Sequence, residues 1–61
     1  MDIYLLKAKD WDGLSSTAIP FADKDIAIIS AKSYKTEYDS VELEHWIVDE
    51  NGSPEYVEDL V

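Results

Sequence analysis

The apolar and polar positions of this chain change period from segment to segment, and each change marks an element. Residues 2–9 (Asp-Ile-Tyr-Leu-Leu-Lys-Ala-Lys) suit a strand, because side chains alternate between the two faces. Ile3, Leu5 and Lys7 share one face; Tyr4, Leu6 and Ala8 share the other. Both faces are largely apolar. Asp10-Trp11-Asp12-Gly13 reads as a turn that Ser15-Ser16 continues as a loop. A short second strand is expected over Thr17–Phe21, with Pro20 marking an edge or a strand end. From Asp23 the period becomes helical: Asp23 can cap and Asp25 suits the first turn. Ile26, Ala27, Ser30, Ala31, Tyr34 and Tyr38 then share one broad face. The run Ile26–Ile29 also suits a buried strand, but Ala, Lys and the capping Asp favour helix.

Val41–Val48 alternates most cleanly, with Val41, Leu43, His45 and Ile47 opposite Glu42, Glu44, Trp46 and Val48. Asp49-Glu50-Asn51-Gly52 is a tight turn in which Gly can take positive φ. The tail from Ser53 has two readings. It returns as a strand completing a hairpin, or Ser53-Pro54-Glu55 opens a short helix. The hairpin is the favoured one.

These elements predict one α+β domain over 1–61: a small antiparallel sheet of three to four strands, one helix on one face, in the order β-β-α-β-β. Ile3, Leu5, Val41, Leu43 and Ile47 are expected to meet Ile26, Ala27, Ala31 and Tyr34. Tyr4, Leu6, Trp46 and Val48 would then form an uncovered apolar face, and such faces mark interfaces. A homodimer through that face is the expectation.

Composition sharpens this picture. A chain of 61 residues forms a marginal core, and without cysteine it has neither disulfides nor thiolate metal sites to support it. Its longest apolar run, Ile26–Ile29, is far too short to span a membrane, and Asp2 sits where a signal peptide needs basic residues. A cytoplasmic protein is expected. The net charge of −9 is unevenly placed. Residues 1–35 hold all five lysines and five acids; residues 36–61 hold nine acids and no lysine or arginine. Such a field repels nucleic acid and anionic lipid and steers the chain towards basic surfaces.

Catalytic chemistry has few parts to work with. There is one histidine, no cysteine and no arginine, and no Gly-x-Ser-x-Gly elbow accompanies the serines. His45 reads as a packed strand residue. Asp10-Trp11-Asp12-Gly13 and Asp49-Glu50-Asn51-Gly52 resemble pieces of calcium loops, but lack the twelve-residue spacing and closing Glu, and ordinary turns look the same. No metal or cofactor is expected, and direct nucleic-acid binding would lack its basic patch. What remains is an acidic array, Glu37, Asp39, Glu42, Glu44, Asp49, Glu50, Glu55, Glu58 and Asp59, interleaved with Tyr38, Trp46 and Tyr56. Glu42 and Glu44 stand about 7 Å apart on one strand face. Together with Trp46 these acids are the candidate partner-binding residues, for a partner with a basic surface. Solubility alone is the plainer reading of the same charge.

The opening strand (Ile-Tyr-Leu-Leu-Lys-Ala), the Asp-Trp-Asp-Gly turn, the Asp-Lys-Asp-Ile-Ala-Ile-Ile-Ser-Ala-Lys helix and the Glu-Leu-Glu-His-Trp-Ile-Val-Asp strand form an outline over residues 1–50. It resembles that of short bacteriophage and bacterial reading frames. The resemblance carries no catalytic motif and implies a phage accessory protein. Small acidic proteins of that kind include inhibitors of host enzymes or defence systems, anti-CRISPR proteins and DNA mimics. The expectation is therefore a non-enzymatic inhibitor that blocks a basic, nucleic-acid-binding surface of a host or defence protein. The alternative is a structural or regulatory, antitoxin-like adaptor that binds through the apolar sheet face.

Overall fold

The computed structural model describes residues 1–11, 13 and 16–60. Strands β1 (Asp2–Lys9) and β2 (Ser16–Phe21) precede helix α1 (Lys24–Tyr34), and β3 (Ser40–Val48) and β4 (Pro54–Asp59) follow it. The four strands form one antiparallel sheet in the order β2-β1-β3-β4, and α1 packs against β1, β3 and β2. This is the α+β arrangement the periodicity predicts. The two open questions resolve to a helix at 24–34 and a strand at 54–59. Asp12 of the proposed turn and calcium fragment, and Ser15 of the loop, lie outside the described residues.

Local chemistry explains each boundary. The Asp23 carboxylate accepts a hydrogen bond from the Ile26 N–H at 3.0 Å, which caps α1. Asp25 in the first turn and Lys32 in the last complement the helix dipole. After α1 the chain turns back through hydrogen bonds from Glu37 and Tyr38 N–H to Tyr34 O, both 2.9 Å. The β3–β4 hairpin is set by Asp49, whose Oδ1 accepts from the N–H of Asn51 and of Ser53, each at 2.9 Å. Gly52 takes φ +82° to complete the turn. Pro54 then opens β4 opposite Val48, where a missing N–H does least harm.

The core is thin. Tyr4, Leu6 and Ala8 of β1, Ala27 and Ala31 of α1, and Leu43 of β3 are its buried members; Phe21, Ile28, Tyr34, Val41 and Leu60 pack around it. The two helix alanines let α1 sit close to the sheet. Register stacks Leu6 on Leu43, Ala8 on Val41 and Tyr4 on His45 across β1–β3.

That register corrects the face expected for β1. Tyr4 and Leu6, expected on the free face and at a dimer interface, are buried beneath the helix; Ile3 and Leu5 stand on the open face instead. Lysine decides the choice. The Ile3–Leu5 face also carries Lys7, and turning it inward would bury an ammonium group without a carboxylate beside it. Tyr4, Leu6 and Ala8 bring no charge. On α1 the buried stripe is Ala27, Ile28, Ala31 and Tyr34, while Ile26 is 54% exposed. Ile47 is on the helix side of β3 but lies opposite Asp2, towards the end of the sheet, and stays 39% exposed.

Candidate functional site

Two surfaces differ from an ordinary solvated exterior. The first is the sheet face opposite α1. Alternation along β1 and β3 places Ile3, Leu5, Trp46 and Val48 there, and Pro54 extends it onto β4. These five residues line a shallow groove of about 280 Å³ with apolar walls. Tyr56 stands opposite Trp46 with ring centroids 5.5 Å apart in an edge-to-face contact. The expected pair Trp46 and Val48 is thus on the open face, while Tyr4 and Leu6 are not.

Along the strands this apolar end gives way to charge. Lys7 Nζ lies 3.2 Å from Glu44 Oε1, and the Trp46 indole N–H donates to the same oxygen at 3.1 Å. Glu44 therefore ties the basic strand, the acidic strand and the indole together. Its 15% side-chain exposure makes this contact less screened than one at the rim. Glu42, Lys7's neighbour across β1–β3, is exposed and shares this face.

The second surface is the acidic half of the molecule. The nine acids of residues 36–61 follow β3, β4 and their connections, so the sheet is polarised sideways. Lys7 and Lys9 are on β1; Glu42 and Glu44 are on β3; Glu55, Glu58 and Asp59 are on the edge strand β4. All six residues of β4 are exposed, and α1 does not reach it. A bulge between His45 and Trp46 of the β3–β4 register changes which β4 residues share a face. Glu58 falls opposite His45 on the helix side, and Asp59 falls opposite Glu44 on the open side. Asp49 and Glu50 occupy the hairpin tip; Glu37 and Asp39 lie at the other end of β3, before Ser40. The expected binding residues are thus one half of the molecule but not one face of it.

Asp59 makes a further contact. The Tyr56 hydroxyl donates to Asp59 Oδ1 at 2.8 Å, and this bond raises the phenol's pKa above its ordinary 10.0, helped by slight desolvation and the charges of Asp59, Glu44 and Glu58. Sequence reasoning could not have found this pair, since the bulge brings the two residues onto one face.

His45 is packed, stacked on Tyr4 at 4.7 Å with 19° between the rings. Its Nε2 is buried, lies 3.6 Å from Asp2 Oδ1 and makes no hydrogen bond. Among the described residues no three His, Cys, Asp or Glu side chains converge as metal ligands, and no helix is long and apolar enough to cross a membrane. Comparison with protein-family models, curated proteins and solved structures finds no match.

Proposed function

We propose that this chain is a non-enzymatic binding protein whose acidic half engages a basic surface on another protein, as a phage-type inhibitor of a host or defence protein. The observation that carries this reading is β4: an edge strand, exposed at every residue, bearing Glu55, Glu58 and Asp59 beside the acids of β3. Edge strands that avoid pairing commonly carry lysine or other charges. Here the charge is of one sign and continues around the hairpin and the start of β3. Glu55 and Glu58 of β4 lie opposite Ile47 and His45 on one face, two strand steps or about 7 Å apart, and so repeat every second phosphate of a DNA strand, at ~3.4 Å per charge. A groove that binds nucleic acid would accept such an array, so DNA mimicry is the mode we favour. Val57 of β4, 42% exposed among these acids, supplies an apolar anchor that charge alone lacks.

The test is a tagged pull-down from bacterial lysate, eluted in rising salt and read by mass spectrometry. A nucleic-acid-binding protein released by moderate salt is the expected result. Glu55→Lys with Glu58→Lys should abolish that capture, while Lys24→Glu with Lys32→Glu should not. Equal loss from both pairs sinks the reading. The apolar groove favours the second one, a structural or regulatory adaptor. In that case the captured protein stays bound in high salt and is lost with Trp46→Ala, because apolar burial is not screened.

A further inference from the structure

The open sheet face has an occupant whose chemistry can be read from the face itself. We infer that it packs against the same face of a second copy, about a twofold axis parallel to the strands. This goes beyond the proposed function, since the dimer forms whether or not the acidic half has a target.

Three observations lead there. First, the core is too small to make a cover superfluous. Among the described residues Leu6 and Leu43 are the large side chains that are fully buried, and the accessible surface is 4306 Å². A monomer of 6.9 kDa typically exposes about 4,000 Å². Second, the groove of Ile3, Leu5, Trp46, Val48 and Pro54 occupies one end of the face and the charges occupy the other. Third, those charges are polarised sideways, with lysine on β1 and carboxylates on β3 and β4.

A twofold axis parallel to the strands suits all three. It reverses the strand order between the copies and leaves the strand ends together. β1 then covers the partner's β3, and β2 covers the partner's β4. Ile3 and Trp46 are neighbours at one level of the β1–β3 ladder, and Lys7 and Glu42 are neighbours at another. Ile3 therefore meets the partner's Trp46, and Lys7, already 3.2 Å from its own Glu44, meets the partner's Glu42. Apolar end lies on apolar end and lysine lies on carboxylate; at the level between them Leu5 meets the partner's Glu44, which keeps its own Lys7 and the Trp46 indole N–H.

An axis running across the strands does the opposite. It sets each strand over its own copy and the charged end over the groove, which buries carboxylates against apolar side chains. The area is adequate but modest. At ~3.4 Å per residue and ~4.8 Å between strands, the four strands cover roughly 500 Å² in projection. Two such faces bury about 1,000 Å², the lower bound for a specific interface. A dimer that dissociates on dilution follows, with the two sheets packed about 10 Å apart and their strands roughly aligned.

Sedimentation equilibrium of the full chain, from micromolar to millimolar concentration, tests this. The expected mass rises from 6.9 kDa towards twice that value. Ile3→Lys and Trp46→Ala should each weaken association at least about tenfold, as loss of central anchors does. Glu42→Lys, at an exposed position, should weaken it too by placing lysine against the partner's Lys7. Ile29→Lys, 67% exposed on the helix, should leave it unchanged. Circular dichroism verifies that each variant is folded, and Glu42→Lys keeps the test decisive if a groove variant unfolds. A 6.9 kDa species at every concentration overturns the inference. So does a dimer broken by Ile29→Lys but not by Ile3→Lys. A dimer that needs Ile3 but ignores Glu42→Lys overturns the placement of the axis.

Discussion

At the scale of single residues, one lysine determines which way the first strand faces. Counting apolar side chains along β1 leaves its two faces nearly equal, since Ile3 and Leu5 rival Tyr4 and Leu6. Lys7 breaks the tie, and it finds its carboxylate, Glu44, on the side away from the helix. Two adjacent leucines therefore carry different weights. Leu6→Ala should cost about 2–5 kcal/mol, the range for emptying a fully buried site, and should unfold much of the protein. Leu5→Ala, at the half-buried position beside it, should cost clearly less in urea denaturation. Equal losses would mean that the open face is as well packed as the core. A second residue-scale effect comes from the Tyr56–Asp59 bond. The folded phenol holds its proton above the ordinary pKa of 10.0, so this pair's stabilisation is present below pH 10 and is lost as pH rises through the folded value. Asp59→Asn should move part of the tyrosine ionisation signal to lower pH in an ultraviolet titration. Superimposable curves would show that the bond does not persist in solution.

At the scale of elements, what the sequence made legible depended on whether local or long-range terms decided the outcome. β1, α1 and β3 were readable because alternation, a capping Asp and helix-forming Ala and Lys all act within a few residues. The tail was ambiguous because Ser53-Pro54-Glu55 is a good helix start and an equally good strand entry. The side chain of Asp49 tips it, since taking the N–H groups of Asn51 and Ser53 leaves the chain aimed back along β3. The bulge at His45/Trp46 left no mark in the sequence, and it decides which acids of β4 share a face. The expected helix stripe holds at Ala27, Ala31 and Tyr34 and fails at Ile26: Ile26 and Ile28 flank Ala27 at about 100° on either side, and Ala31 lies on the Ile28 side, so the sheet takes Ile28 and leaves Ile26 exposed. The hairpin offers a direct check. Gly52 has φ +82° and no atom within 4 Å of where a Cβ would stand, so Gly52→Ala meets backbone strain without a clash. It should cost about 1–2 kcal/mol, the left-handed penalty of an L residue. No measurable loss in urea would mean that the turn rearranges, and with it the strand that carries Glu55 and Glu58.

At the scale of the whole molecule, the sideways separation of charge works against the fold while serving any partner with a basic surface. Nine carboxylates without a lysine or arginine crowd the β3–β4 half, and the molecule measures only 37 × 23 × 15 Å. At ~0.01 M salt the screening length is ~30 Å, so nearly all of these charges repel one another; at ~1 M it falls to ~3 Å. Against that repulsion stands Lys7–Glu44, the one Lys–carboxylate ion pair among the described residues, which is partly sheltered and loses less to screening. Repulsion among many charges outweighs attraction within one pair. Raising sodium chloride across that range, at fixed protein concentration, should therefore raise the melting temperature. The same change should release a target held by the acidic half, so stability and binding respond to salt with opposite signs. A melting temperature that falls instead would mean that attraction dominates. Its source would then have to be contacts like that of Lys7 with the partner's Glu42, which gather carboxylates around lysine. Repeating the melt over a range of protein concentrations separates the two origins: intermolecular attraction makes the fall depend on concentration, whereas attraction within one chain leaves it the same at every concentration.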